Sequence, residues 1–227
     1  MDNIFFNKGL LDKNRTSGIV SDALNGMDDG ELFLEYNQSE SLVFDDGCLK
    51  SANFDTMQGF GLRSVLGEAS GYAHSSEISE ESLKRAAKTV RAIKGGHNGV
   101  EDNIGEPGKP IKALYLGINP LEEVMFDKKV SLLQEIDAYL RNKNPLVKQV
   151  SASLSGEWQY VNIMRTDGSI REDIRPLVRL NVSVVVEKNG RLERGSYGTG
   201  GRTSYAKYIS SNKWKKAADE ALRQALV

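Results

Sequence analysis

Leu177-Val178-Arg179-Leu180-Asn181-Val182-Ser183-Val184-Val185-Val186-Glu187, followed at once by Lys188-Asn189-Gly190-Arg191, decides the fold. It is the longest β-branched run in the chain, and Asn-Gly is the dipeptide that turns a strand back on itself, here through residues 191–197. Upstream the β signal continues. Residues 147–154 alternate, 157–165 follow, and Asp167-Gly168 makes a hairpin turn into 169–173. Near the other end of the chain, residues 31–36 and 41–45 read as strands, and Asp46-Gly47 turns into 48–54. Residues 59–66 and 69–73, joined at Gly67-Glu68, add two more.

Helices flank these strands. One follows Asp12, with Ile19, Val20, Ala23 and Leu24 on one face and Asn25-Gly26 as its stop. A second runs from Ser79 to about Lys94. Ser79 caps it, Glu80 and Glu81 sit in its first turn, Ile78 is placed to staple against Leu83, and Leu83, Ala86, Ala87, Val90 and Ile93 form its inner stripe. Asn119-Pro120 reads as a cap followed by proline at the first helical position. A third helix starts near Asp127, with Val130, Leu133, Ile136, Tyr139 and Leu140 inward, and stops before Pro145. A last one buries Trp214, Ala217, Ala218, Ala221, Leu222 and Ala225.

Runs of antiparallel strands with helices gathered beside them imply an α+β fold, not alternating βαβ units. Residues 95–112, with five glycines and with Pro107 and Pro110, read as a linker, and 113–116 as a short apolar strand after it. The expected organisation is a first α+β unit over 1–94 and a second over 113–227. The two share an order of events: a strand, an Asp-Gly hairpin, a further hairpin, then an amphipathic helix. Two related β-rich halves are one reading of this order, and chance likeness between hairpin-rich domains is the other.

Composition narrows the function. The chain has 227 residues, 30 basic and 31 acidic, for a net charge of −1, which argues against a protein that coats nucleic acid. No segment approaches the ~18 apolar residues of a membrane span. The start lacks the basic opening and apolar core of a secretory signal, so the cytoplasm is the expected compartment. A single cysteine, Cys48, excludes an internal disulfide framework. His74 and His97 are the only histidines, so the usual metal ligands are scarce.

Several long words of this sequence resemble the TldD/PmbA family, closer to its TldD branch. They are Asn119-Pro120-Leu121, Val147-Lys148-Gln149-Val150-Ser151, Arg175-Pro176-Leu177-Val178-Arg179-Leu180-Asn181-Val182-Ser183-Val184 and Gly195-Ser196-Tyr197-Gly198-Thr199-Gly200-Gly201-Arg202. Asp46-Gly47, Gly59-Phe60-Gly61-Leu62-Arg63 and Gly71-Tyr72-Ala73-His74-Ser75 resemble the same family's first β region. The resemblance implies a cytosolic zinc peptidase system, also named modulator of DNA gyrase, in which a TldD-type subunit pairs with a PmbA/TldE-type subunit and cleaves extended, unfolded peptides. It also implies a His-Glu-x-x-x-His zinc motif on a helix, whose Glu activates the attacking water. Here the sequence departs from the family, for His74 is followed by Ser75 and His97 by Asn98. The resemblance therefore makes residues 1–227 the N-terminal half of a TldD-type protein, with no catalytic and no metal-ligating residue of its own and with zinc held by a segment beyond it.

The candidate site within the chain is Gly198-Thr199-Gly200-Gly201-Arg202. Glycines after a strand let another backbone approach or expose N–H groups to an anion. The segment is neither a Walker loop nor a dinucleotide fingerprint. Gly198, Gly200, Gly201 and Arg202 are expected either to border a substrate channel or a subunit interface, or to form a flexible surface turn. His74, His97 and Cys48 lack the close ligand spacing of a zinc site, and are expected to be incidental.

Residues 187–216 carry eight basic and two acidic side chains, with Tyr197, Tyr205, Tyr208 and Trp214 among them, whereas residues 1–50 carry four basic and ten acidic. Bases interleaved with aromatics can bind nucleic acid. A solvated face and the polar side of the last helix is the alternative expected here. Three functions follow in order: the non-catalytic part of a zinc peptidase that shapes a peptide channel and subunit interface, an autonomous regulatory or pairing module, and a nucleic-acid-binding protein. The expected partners are a PmbA/TldE-type or like subunit and an extended peptide, without nucleic acid or membrane.

Overall fold

Asp46-Gly47 (φ +48° and +78°) and Asn189-Gly190 (φ +53° and +77°) adopt the left-handed backbone that a two-residue type I′ hairpin demands. Gly168, at φ +74°, closes the third tight turn, where Arg165 N–H donates to the Ser169 carbonyl at 3.0 Å. These turns set the order of a six-stranded antiparallel sheet, β3-β2-β1-β4-β5-β6. The computed structural model describes residues 3–6, 10–95, 114, 115, 117–209 and 213–227.

Along the chain come α1 (Lys13–Leu24), β1 (Asp29–Asp45), β2 (Cys48–Leu66), β3 (Ala69–Ser75) and α2 (Glu80–Arg91), the last continued by a 3-10 turn over Ala92–Gly95. Then follow α3 (Pro120–Glu123), α4 (Phe126–Lys143), β4 (Val147–Arg165), β5 (Ile170–Lys188), β6 (Arg191–Gly201), α5 (Ala206–Ile209) and α6 (Lys213–Ala225). A helix, three strands and a helix thus occur twice in order, α1-β1-β2-β3-α2 and α4-β4-β5-β6-α6, with the short α5 inserted before α6 in the second. The caps are those the sequence expects: Asp12 accepts from Arg15 N–H, Ser79 from Ser82 N–H and Asn119 from Leu121 N–H. Residues 96–113 and 116, with His97, most of the expected linker and half of the strand expected after it, lie outside the described residues, and 114 and 115 are not in a strand.

Packing divides the chain into two units that are discontinuous in sequence. One is Met1–Asn37, Met57–Ala113 and Tyr160–Asp173; the other is Gln38–Thr56, Leu114–Gln159 and Ile174–Val227. In the first unit Leu32, Leu34, Leu62, Leu83 and Val90 are buried, and Ser64 donates to the Val90 carbonyl at 3.0 Å. In the second, Val178, Leu180, Val182 and Val184 pack with Leu133, Ile136 and Leu140 of α4 and Ala218, Ala221 and Leu222 of α6.

Four pairs of expected short strands prove to be single long ones, and the residues between them show why. Residues 37–40 of β1 look like a polar break, yet Gln38 accepts from Asn119 Nδ2 at 2.8 Å and Glu40 takes the ammonium of Lys129. β2 likewise runs unbroken through residues 55–58. In β4, Gly156 is bare because a β-carbon there would meet the Tyr205 hydroxyl at 2.2 Å. In β5, Pro176 precedes the span paired with β6, which begins at Val178↔Gly201, so on that side it owes no ladder bond.

Each helix-strand-strand-strand-helix series uses the same device to seat its last helix. A β-carbon on Gly71 of β3 would lie 2.9 Å from the Val90 carbonyl oxygen of α2, and one on Gly195 of β6 would lie 2.1 Å from the Ala221 carbonyl oxygen of α6. Overpacking follows from any side chain placed there. Gly195→Val is expected to lower the unfolding free energy by about 2 kcal/mol in urea titrations. Gly201→Ala, where an added β-carbon meets nothing within 4 Å, is expected to stay within about 0.5 kcal/mol of the parent.

Candidate functional site

The second unit presents a sheet with two unlike faces. Val150, Ala152 and Leu154 of β4 and Val178, Leu180 and Val182 of β5 turn toward the helices and are buried. Ser151, Ser153 and Ser155 alternate with them, as Arg179, Asn181 and Ser183 do on β5, so these point the other way. A cleft of about 340 Å³ opens on that second face, lined by Ser39, Ser41, Asn53, Asp55, Glu157 and Arg179 among others.

Gly198, Gly200 and Gly201 do not form a loop. They are the end of β6, in register with Asn181, Arg179 and Val178 respectively. Opposite Gly198 and Gly200 the side chains of Asn181 and Arg179 lie across bare backbone. A β-carbon on Gly198 would fall 2.7 Å from Asn181 Oδ1 and 3.0 Å from Arg179 Nη2. Arg179 Nε donates to Asn181 Oδ1 at 2.8 Å, and Asn181 Nδ2 donates to Ser153 Oγ at 3.3 Å. The glycine run is thus a platform for an arginine two strands' width from Ser153, and Arg179 rather than Arg202 occupies it. Arg202 itself is exposed just past β6, with its guanidinium 5.2 Å from the Tyr115 ring centroid.

Sequence reasoning missed the ion pair beneath this face. It placed Val130 inward on α4, but Lys129 is the fully buried residue, 1% exposed. Its ammonium donates to Glu40 Oε1 and Oε2 at 2.8 and 3.0 Å and to the Leu121 carbonyl at 2.8 Å, which uses all three protons. The Tyr205 ring covers it, 4.9 Å away. Burial, and next the charge of Glu40, push the Tyr205 hydroxyl well above the ordinary tyrosine value. Neither residue of the pair looks apolar, so periodicity could not find them; a polar break in one strand and a lysine on a helix's inner side were the only signals.

The other candidates separate. Cys48 is exposed at the start of β2 in the second unit. His74 belongs to the first unit, where its ring stacks at 5.7 Å on Tyr72 beside a cleft of about 350 Å³ that also includes Phe33 and Met57. Of the four aromatics among the basic residues 187–216, Tyr205, Tyr208 and Trp214 are buried, and only Tyr197 is exposed enough to stack on a base. Arg191 pairs with Glu193, and Arg194 donates to Ser183 Oγ at 2.8 Å.

Two family models match the chain: the PmbA/TldA metallopeptidase domain 1 over residues 30–95 and the PmbA/TldA metallopeptidase central domain over 119–227. These are parts of metallopeptidases, and the chain belongs to the TldD/PmbA family. It is 40% identical over 210 residues to the metalloprotease TldD homolog of Haemophilus influenzae, and 33% identical over 213 residues to that of Buchnera aphidicola from Acyrthosiphon pisum. In both cases the match covers 88% of this chain and 43% of the relative. The chain therefore spans less than half the length of these relatives. TldE from Thermococcus kodakarensis shares the fold, with a TM-score of 0.71 at 14% identity over 93% of this chain and 47% of that one.

A metallopeptidase family implies a metal, and the residues described here do not fit one. Among the described residues no three His, Cys, Asp or Glu side chains gather closely enough to hold an ion. No hydrolytic step is assigned to them.

The buried pair gives a direct stability test. Lys129→Met strands the Glu40 carboxylate and is expected to cost about 3 kcal/mol in chemical denaturation. Adding Glu40→Leu removes the stranded charge and is expected to restore most of that loss.

Proposed function

We propose that this chain is the N-terminal, non-catalytic part of a TldD-type zinc metallopeptidase, with residues 1–94 and 113–227 as its two sequential units. In this reading it works in the cytoplasm with a PmbA/TldE-type subunit and shapes the channel and the subunit contacts through which extended, unfolded peptides reach the zinc. The carrying observation is the second face of the sheet in the second unit. An unfolded peptide offers chiefly backbone N–H and C=O groups, and the hydroxyls and amides of Ser39, Ser41, Asn53, Ser153 and Asn181 can answer both kinds whatever the side chains are. β6 pairs with no further strand among the described residues, and its edge can add an extended segment as one.

The family match over both halves of the chain supports this assignment, and so does the sequence. Neither histidine is followed by glutamate, so the His-Glu-x-x-x-His chemistry has to come from outside residues 1–227. Gly198, Gly200, Gly201 and Arg202 then border the peptide's path or the partner's surface.

For the 227-residue chain alone, metal analysis is expected to find no stoichiometric zinc, and a fluorogenic peptide assay no hydrolysis. Zinc bound one-to-one through His74 or His97 would overturn the reading. In a full-length relative, Arg202→Ala is expected to slow peptide cleavage or weaken subunit pairing. If both stay unchanged, Arg202 has no part in the path.

A further inference from the structure

Two words of the sequence, Gly59-Phe60-Gly61-Leu62-Arg63 and Gly71-Tyr72-Ala73-His74-Ser75, become neighbouring strands of the first unit, with Gly61 opposite His74 and Arg63 opposite Tyr72. Tyr72 does not stay over its register partner. Its ring lies across the bare backbone of Gly61, where a β-carbon would fall 2.7 Å from the Tyr72 hydroxyl oxygen and 3.1 Å from two of its ring carbons. The His74 ring sits beside it, 5.7 Å away with 30° between the planes. Both rings line the first unit's cleft of about 350 Å³, together with Phe33 and Met57. Tyr72 is 63% exposed and Met57 58%, and large apolar side chains left in the open at one spot mark a place for a ligand.

Charge selects among ligands. Leu32 and Leu34 of β1 are buried, so the alternate residues Phe33 and Glu35 turn to the cleft that both of them line. Glu35 is the only carboxylate among the described residues lining it, and no Lys or Arg lines it. Arg63, from which the Tyr72 ring has leaned away, is not part of the lining. Aromatic faces and a thioether beside one carboxylate suit a group with an apolar stem and a positive end.

We propose that this cleft binds the side chain of a lysine or arginine of an extended peptide, its stem against Phe33 and Met57 and its charged end against the Tyr72 ring and the Glu35 carboxylate. The inference rests on the reading above that the chain receives extended peptides, and it names a side chain that the first unit recognises. Gly61 has a part in this. Any side chain there would lift the Tyr72 ring off the strand and out of the cleft.

The test uses the 15N-labelled 227-residue chain titrated with three peptides, acetyl-Ala-Ser-Xaa-Ser-Ala-amide, in which Xaa is lysine, norleucine or glutamate. Norleucine keeps lysine's four-carbon stem and lacks its ammonium group. The lysine peptide is expected to bind about fivefold tighter than the norleucine peptide, with shifts centred on Gly61, Tyr72 and His74, and the glutamate peptide to bind weakest. Tyr72→Leu and Glu35→Gln, each checked for folding by circular dichroism, are expected to lose most of the lysine preference. Tyr72→Phe keeps the ring and is expected to keep the preference. Norleucine binding as tightly as lysine makes the cleft a site for apolar side chains and overturns this inference, while the peptide reading stands. A lysine preference unchanged by both Tyr72→Leu and Glu35→Gln does the same. No binding of any of the three peptides overturns both.

Discussion

Where β6 passes under α6 the two backbones touch. A β-carbon on Gly195 would lie 2.1 Å from the Ala221 carbonyl oxygen and 2.5 Å from the Ala225 nitrogen, so only glycine lets the helix settle there. That close seat brings Ala217, Ala218, Ala221 and Ala225 down onto the sheet, with Trp214 and Leu222 completing the buried side of α6. The edge strand is thereby fixed from one side. Its other face is then available to be bare at Gly198 and Gly200, and the polar side chains of β5 lie across it. The first unit repeats the seat at Gly71 beneath Val90. Two helix-strand-strand-strand-helix series that share such an unusual contact are more alike than hairpin-rich segments need be.

The polar residues of the second unit divide according to the sheet face they occupy. On the helix side a polar group survives only if every donor and acceptor is met, and the Lys129 ammonium meets that condition with Glu40 and the Leu121 carbonyl. This pair ties the start of α4 to the middle of β1 and holds the strand straight through a stretch that looks like a break. On the other side the polar groups are half-buried and shallow, and they are tied to one another only in part. Ser153, Asn181 and Arg179 form a short hydrogen-bonded row that ends in a guanidinium with donors to spare. The first kind of polarity holds the fold together; the second gives the face something to bind with.

Membership of the TldD/PmbA family gives this division a use. The curated TldD relatives are metalloproteases more than twice as long as the matched region. The matched regions are the family's domain 1 and central domain. The proposed function uses the sheet's two faces differently: one is sealed by helices, and the other, lined by hydroxyl, amide and glycine, is the one assigned there to an extended peptide. Among the basic residues 187–216, Tyr205, Tyr208 and Trp214 lie in the core and only Tyr197 is exposed.

By itself the sequence determined the local geometry. Asp-Gly and Asn-Gly turns, the Asp12, Ser79 and Asn119 caps, the inner stripe of α6 and the α+β class were all legible, because each depends on backbone preferences or on periodicity within one element. The order of the two repeated series was legible for the same reason. Tertiary structure decided what depends on partners far along the chain. Strand continuity through residues 37–40 and 156 is met by the side chains of Asn119, Lys129 and Tyr205, which no local window contains. The inward turn of Lys129 is decided by Glu40, 89 residues away. The bare backbone at Gly198 is taken up by Asn181 and Arg179 on the neighbouring strand, and that at Gly200 by the Val178 carbonyl. A glycine run alone says that side chains are absent; only the strand register shows whose side chain takes the space.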